Sequence, residues 1–377
     1  MRPILPLLSL LVALPVLAAP GPRQTQIRPG ELWEDANGNH INAHGGGLLL
    51  HEGRVWWFGE HKVPGTAGNQ AWVGVHCYSS PSDDLVNWRD EGIALRVSDD
   101  PKSDIVKGCI LERPKVVYNA KTGKFVMWFH LELKGQGYAA ARYGVAVADR
   151  VEGPYAFLRS GRVNPGVWAQ NIPAEKRTLV DAPAAKRLSS STFPEGMDKA
   201  AIYYRDFAGG QMARDMTIFV DDDGVAYHIY ASEDNGTLQI AELDDTYTRH
   251  TGRYARLFEG RFMEAPALFK KDGKYWFIGS SCTGWAPNAA RSAVADSIWG
   301  PWTELGNPAR GENAGKTHFS QSTYVLPVPG KPDRFIFCAD RWNPKNQIDS
   351  RYIWLPIEWE DGKPVLNWKD AWSPADL

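Results

Sequence analysis

Five polar residues, His44, Glu112, Asp215, Glu264 and Gln321, each stand directly before an apolar stretch in segments that otherwise look alike. Three are carboxyls and one is an amide, and no Cys or His spacing in the chain matches a zinc ligand set. Brought to one place, such a set suits cleavage of a glycosidic bond. One Asp or Glu protonates the leaving oxygen while a second group activates water on the opposite face. Neighbouring carboxylates raise the acid's pKa and keep it protonated near neutral pH. Any one of these residues alone is as well explained by a surface turn. Three carboxyls at equivalent places are harder to explain so, because converging like charges are costly unless pairing or function retains them.

Those residues can converge only if the repeats that carry them do. The segments from Ala43, Glu112, Arg214, Glu264 and Ser320 each read as a polar motif, an apolar strand, a turn, and a second strand rich in Trp, Tyr and Phe, which is a β-hairpin. A further strand pair follows each, for example VGVHCYSS with NWRDEGIAL and RYIWLPIEW with KPVLNW. Two hairpins make a four-stranded antiparallel sheet, and five such sheets in sequence predict an all-β, five-bladed β-propeller. No helical period of useful length competes. The interval from Glu112 to Asp215 is 103 residues against 49 to 68 elsewhere. Its Pro, Ala and Ser-rich stretch NPGVWAQNIPAEKRTLVDAPAAKRLSSSTFPEGMDKA is expected to be an insertion between blades. Repeats around one axis share their interfaces, so residues 20–377 are expected to form a single domain. PGELWEDANGNHIN before the first hairpin is expected to supply a strand or lip, and WKDAWSPADL at the end to close the ring. The first strand of every blade lines the central channel in the same direction, so the five polar residues should ring one mouth.

Composition narrows the partners. With 42 basic and 44 acidic residues the net charge is -2, which leaves no excess to condense on a phosphate backbone, and nucleic acid is not expected. The 16 Trp, 14 Tyr and 14 Phe provide flat apolar faces with polar edges, as both sheet-rich cores and sugar sites require. Arg2, the apolar run ILPLLSLLVALPVL and VLA ending at Ala18 read as a signal peptide over residues 1–19, too short to remain as a span. The mature chain is therefore expected to be exported, secreted or periplasmic, with no membrane partner. Cys77, Cys109, Cys282 and Cys338 permit disulfides there without requiring them. DDDG at Asp221–Gly224 lacks the alternating ligands and distal Glu of an EF-hand, and HGGG lacks a G-x-S-x-G elbow. No metal and no cofactor is expected.

The stretches AHGGG, FGEHK, ERPKVVYN, RDMTIFVDDDG, SEDN, MEAPALFK, CTGW and SQSTYVLP occur in that order along essentially the whole mature length. In this the chain resembles glycoside hydrolase family 43, and within it the exo-β-1,3-galactanases. The resemblance implies an inverting exo-glycosidase that takes a polysaccharide or oligosaccharide and releases galactose from β-1,3-galactan, such as the arabinogalactan backbone. It makes Glu264 the general acid, Asp215 the group that tunes and orients it, and Glu112 a holder of substrate hydroxyls. Most family members place an Asp base in the first blade, where this chain has AHGGG; in the galactanase group that absence accompanies a Gln in the last blade, here Gln321. Either the amide positions the water and passes its proton through an imidic acid form, or Glu112 receives the proton. Tyr138, Asn235 and Thr283, with Gly284 beside it, match positions lining the sugar subsite. Glu60 in FGEHK either bonds sugar hydroxyls or makes a strand-end salt bridge. Trp285 and Trp342 either stack on a galactose face or are buried between blades, and His44 makes either a sugar contact or a structural hydrogen bond. The rival readings are a relative acting on another terminal sugar, such as arabinofuranose, and a propeller that binds glycan without cleaving it.

Overall fold

The dipeptides Glu52-Gly53, Asp272-Gly273 and Asp361-Gly362 adopt left-handed backbone at both positions, with φ of 47° and 71°, 52° and 71°, and 49° and 71°. A two-residue turn of this kind matches the twist of antiparallel strands, and each closes a hairpin. The computed structural model describes residues 23–66, 68–71, 73–178, 187–188 and 191–377. The signal peptide expected over 1–19 and part of the expected insertion lie outside them.

The hairpins pair into five blades. The first is β1 (His44–His51), β2 (Arg54–Glu60), β3 (Gly74–Pro81) and β4 (Arg89–Arg96); the second is β5 (Ile110–Asn119), β6 (Lys124–Glu132), β7 (Arg142–Ala148) and β8 (Ala156–Gly161). The third is β9 (Met216–Val220), β10 (Ala226–Ser232), β11 (Thr237–Leu243) and β12 (His250–Leu257). The fourth is β13 (Met263–Lys271), β14 (Lys274–Ser281), β15 (Arg291–Ala295) and β16 (Thr303–Gly306), and the fifth has β17 (Gln321–Pro327), β18 (Phe335–Arg341) and β19 (Arg351–Pro356). Blades stack face to face, so middle strands are covered on both sides and carry no polar alternation: β10 is buried along its whole length. Five apolar cores result, one between each pair of neighbouring blades.

The fifth blade departs from expectation. KPVLNW does not add a fourth strand to β19 but pairs β21 (Lys363–Val365) with β20 (Glu358–Glu360) in a separate hairpin. The N-terminal segment reaches the edge of β19 instead, where Gly30 N–H donates to Tyr352 O at 2.8 Å, and Ile27 exchanges backbone hydrogen bonds with Trp372 at 2.8 and 3.0 Å. Such bonds contribute about 1 kcal/mol each net. Burial of Trp33, Trp57, Trp354 and Trp372 in the same core contributes roughly 2–3 kcal/mol per side chain. Aromatic packing therefore closes the ring, and the chain before β1 meets the C-terminal segment there. Among the described residues the insertion lies along β12, with Gln170 N–H donating to Tyr254 O at 2.8 Å, and a short helix, α1 (Ala201–Asp206), follows it. All four cysteines are free thiols. Among the described residues no helix is long and apolar enough to cross a membrane.

Candidate active site

The inner strands begin irregularly. In β1, β5 and β13 the polar residue is followed by one in the left-handed region, Gly45 (φ 59°), Arg113 (φ 57°) and Ala265 (φ 52°). Pairing with the second strand slips at the same places, between His44 and Gly47, Glu112 and Lys115, and Glu264 and Ala267. A bulge of this kind bends the strand and re-aims its side chains. A Cβ at 45 would lie 2.2 Å from Glu60 Oε1, so any other residue there would displace the Glu60 carboxyl. Arg113 and Ala265 carry a strain of order 1–3 kcal/mol each in the strands that bear Glu112 and Glu264. Lys115 Nζ donates to Gly45 O at 3.1 Å and Arg113 O at 3.3 Å, satisfying carbonyls at both bulges.

These bends bring Glu60, Glu112, Asp215, Glu264 and Gln321 into one pocket of about 260 Å³, with Tyr138, Asn235, Gly284, Trp285 and Trp342. Burial, and then the charge of Asp215, push the Glu264 carboxyl up to about 7 against the opposing pull of Cys282, Arg113 and Arg214. Asn235 Nδ2 donates to Glu264 Oε1 at 2.7 Å, and Arg214 Nη1 holds Asn235 Oδ1 at 3.2 Å. Asp215 Oδ2 accepts from Ala265 N–H at 3.2 Å and pairs with Arg113 Nη2 at 3.0 Å, so it is fixed against the strand that bears Glu264.

Gln321 is oriented by its donors. Its Oε1 accepts from Arg113 Nη2 at 2.6 Å and from Trp342 Nε1 at 3.0 Å, and its Nε2 donates to Ser280 Oγ at 3.0 Å. Turning the amide over would set N–H against N–H, so the oxygen must face Arg113. Across the pocket, Glu112 accepts from Tyr138 OH at 2.7 Å and pairs with His130 Nδ1 at 3.0 Å. Burial alone would raise its pKa, but the bonds and charge of His130 outweigh it and hold the carboxyl at about 2. His130 Nε2 meets Glu132 at 2.9 Å. Burial disfavours its charge, yet the two carboxylates lift its pKa to about 10, which makes the ring an imidazolium. Glu112, His130 and Asp215 offer potential ligand atoms within 4.8 Å of one another.

Two candidate substrate contacts, His44 and Thr283, are not among the residues lining the pocket. His44 is buried and turned away from the pocket, stacked on Tyr352 at 5.0 Å with Nδ1 3.2 Å from Asp340, because the bulge after it gives its place to Glu60 on the paired strand. Thr283 Oγ1 bonds within its own loop, donating to Ala286 O and accepting from Asn288 Nδ2. Glu60 does make a salt bridge, with Lys62, but a buried one on the pocket wall, and its oxygen also accepts from Arg113 N–H at 3.0 Å. Burial raises its pKa more than the Lys62 charge lowers it. Trp285 is 43% exposed and meets Trp342 edge-on at 5.6 Å, so this pair stands at the pocket rather than between blades. Lys62, Arg113, His130 and Arg214 also line the pocket and were not expected there. Arg113 adjoins Glu112, and a regular strand would point the two to opposite faces. His130 could not be found by counting back from the hairpin turn, which pairs Glu112 with Leu131; the slip between Glu112 and Lys115 sets His130 opposite Glu112 instead.

A ring of five blades around a carboxyl-lined pocket is the architecture of a class of glycan-cleaving enzymes, and comparison with known proteins narrows it. A sequence model of the glycosyl hydrolases family 43 matches residues 191–364. A family 43 β-1,3-galactosidase solved with galactodeoxynojirimycin is 54% identical, aligned over 92% of this chain and 100% of that one, with a TM-score of 0.82. An exo-β-1,3-galactanase from Phanerochaete chrysosporium, a glutamate-to-glutamine variant solved with β-1,3-galactotriose, is 32% identical over 93% of this chain and 68% of that one, with a TM-score of 0.74. A curated xylosidase/arabinosidase from Thermoclostridium stercorarium is 28% identical over 62% of this chain, which spans 43% of that protein's length. The chain belongs to glycoside hydrolase family 43.

Proposed function

We propose that this protein is an exported, inverting exo-glycosidase that releases galactose from β-1,3-galactan, such as the backbone of arabinogalactan. The observation that carries the reading is Glu264, a carboxyl whose pKa lies near 7 beside Asp215, in a pocket that the amide of Gln321 also lines. Glu264 protonates the leaving oxygen, and Asp215 raises its pKa through charge while being held in place by Arg113 and Ala265 N–H. Glu60 and Glu112 hold sugar hydroxyls. A carboxylate kept at about 2 is a weak base, which assigns Glu112 to binding and leaves Gln321 to place the water and take its proton by passing through an imidic acid form. The sugar is named from the 54% identical β-1,3-galactosidase, and export from the N-terminal apolar run.

Incubation with linear β-1,3-galactan should release galactose from the first time points without intermediate oligosaccharides. Oligosaccharides appearing first would exclude exo action, and release of arabinose from arabinan instead would favour the second reading, which the xylosidase/arabinosidase relative supports. Early proton NMR should show α-galactose before its mutarotation, since attack opposite the acid inverts a β-linkage. Initial β-galactose would mean a covalent nucleophile and remove Gln321 from water placement.

The pH profile follows from the acid. Glu264 must be protonated to act, so kcat/KM should fall as pH rises through about 7, about tenfold per pH unit above it. A basic limb several units higher would exclude Glu264 as the titrating acid.

A further inference from the structure

The pocket has an open side. Between the fourth and fifth blades, Gly284, Trp285, Gln321 and Trp342 line it jointly with a second cavity that runs on to Phe319 and Arg341. Those two residues in turn line a third cavity that ends at Trp368. Trp285, Phe319 and Trp368 are 43%, 38% and 38% exposed, so the course of the groove is marked by large aromatic faces open to solvent.

Phe319 is held out at a cost. Thr317, His318 and Phe319 are three consecutive non-glycine residues in the left-handed region, with φ of 50°, 54° and 62°. A β-branched residue there is an outlier, and strain of this kind persists only where surrounding bonds over-determine it. They do: Thr317 Oγ1 donates to Asn288 O at 2.7 Å, Ser320 Oγ to Thr317 O at 2.6 Å, and Arg341 Nη2 to His318 O at 2.9 Å. Folding alone gains nothing from exposing a phenyl ring. The Arg341 guanidinium spans the gap, 5.9 Å from the Phe319 ring and 5.8 Å from the Trp368 ring, and its buried Nε has no hydrogen-bond partner among the described residues. Alternating aromatic faces complement a pyranose chain, whose rings have apolar faces and hydroxyl rims.

We infer that Phe319, Arg341 and Trp368 form a distal binding groove for the leaving-group part of a neutral β-linked glycan, the sugars beyond the one next to the cleaved bond. This rests on the reading of the pocket as a glycosidase site. On the side of the second and third blades, the Tyr138 carbonyl is tied down by Arg187 and Arg214. The groove opens instead past Trp285, on the loop after β14, the strand paired with the one that bears Glu264. A chain whose terminal sugar fills the pocket and whose leaving oxygen meets Glu264 continues into it.

The test compares kcat/KM on β-1,3-galactobiose and on a β-1,3-galactopentaose. The wild-type enzyme should favour the longer substrate by about tenfold, the worth of one well-stacked ring. The double variant Phe319→Ala/Trp368→Ala should lose that preference, with its rate on the disaccharide within about twofold of wild type, as expected for contacts outside the pocket. A length preference retained in the double variant overturns the groove. A second measurement does not need turnover. In the Glu264→Gln background, affinity electrophoresis through soluble β-1,3-galactan should retard the parent protein more than one that also lacks Phe319 and Trp368. Equal retardation, or none for either protein, overturns the groove; absence of any hydrolysis by the wild-type enzyme in the first assay instead overturns the reading of the pocket. Matching melting temperatures establish that the variants are folded.

Discussion

Glu264→Gln should lower kcat on β-1,3-galactan by about a thousandfold while leaving substrate binding nearly unchanged. The amide is isosteric, and its oxygen can still accept the Asn235 bond that positions the side chain at 2.7 Å. What it lacks is the proton. Aryl galactosides with good leaving groups depart with less protonation, so their rates should fall much less, and the basic limb near pH 7 should disappear from the residual activity. The variant should melt no lower than wild type, because it removes a buried carboxyl that sits against the charge of Asp215. Turnover within a few-fold of wild type would remove Glu264 from the acid role. An equal loss on all leaving groups, together with a lowered melting temperature, would point to damage to the fold.

Gln321→Ala should lose about a hundredfold in kcat, comparable to deleting one fixed donor from a catalytic site. The loss has two parts. The water loses an anchor, and Arg113, which Gln321 meets at 2.6 Å, is freed to move relative to Asp215. Gln321→Glu separates them, because a carboxylate keeps the partner for Arg113 and is the better base. If basicity were all that the site wanted, this variant would match or exceed wild type. We expect it to be impaired by at least about tenfold, because a carboxylate at 321 competes with Asp215 for Arg113, and its basic limb should move upward, since another negative charge near Asp215 and Glu264 further disfavours ionisation of the acid. The amide also donates to Ser280 Oγ, a bond that a carboxylate can keep only if the hydroxyl turns to donate. Near wild-type turnover by the Ala variant would show that Gln321 has no part in the reaction.

The repeats, their turns and the five strand starts were legible in the amino-acid order, because hairpin turns and apolar runs are local and recur. From the blade pattern alone, Glu112, Asp215, Glu264 and Gln321 were placed at one mouth, and the pocket contains all four. Resemblance supplied Tyr138, Asn235 and Gly284, which lie far from them in sequence and beside them in space.

The tertiary structure decided which way the side chains at those starts point. His44 occupies the same repeat position as Glu112 and Glu264, yet it packs on Tyr352 of the fifth blade and leaves the pocket to Glu60. Arg113 shows the converse. Regular pairing would have put it opposite Glu112, but a left-handed residue and a slipped register deliver both to the pocket, where Arg113 ties Glu60, Asp215 and Gln321 together. Ionisation belongs to the same level: Glu112 and Glu264 are the same residue type on equivalent strands, one held at about 2 by an imidazolium beside it and the other raised to about 7 by burial and a carboxylate beside it. A local sequence encodes turns and apolar period, but the aim of a side chain at a bulge and the charge on a buried carboxyl are set by neighbours from other blades, which come together only when the ring closes.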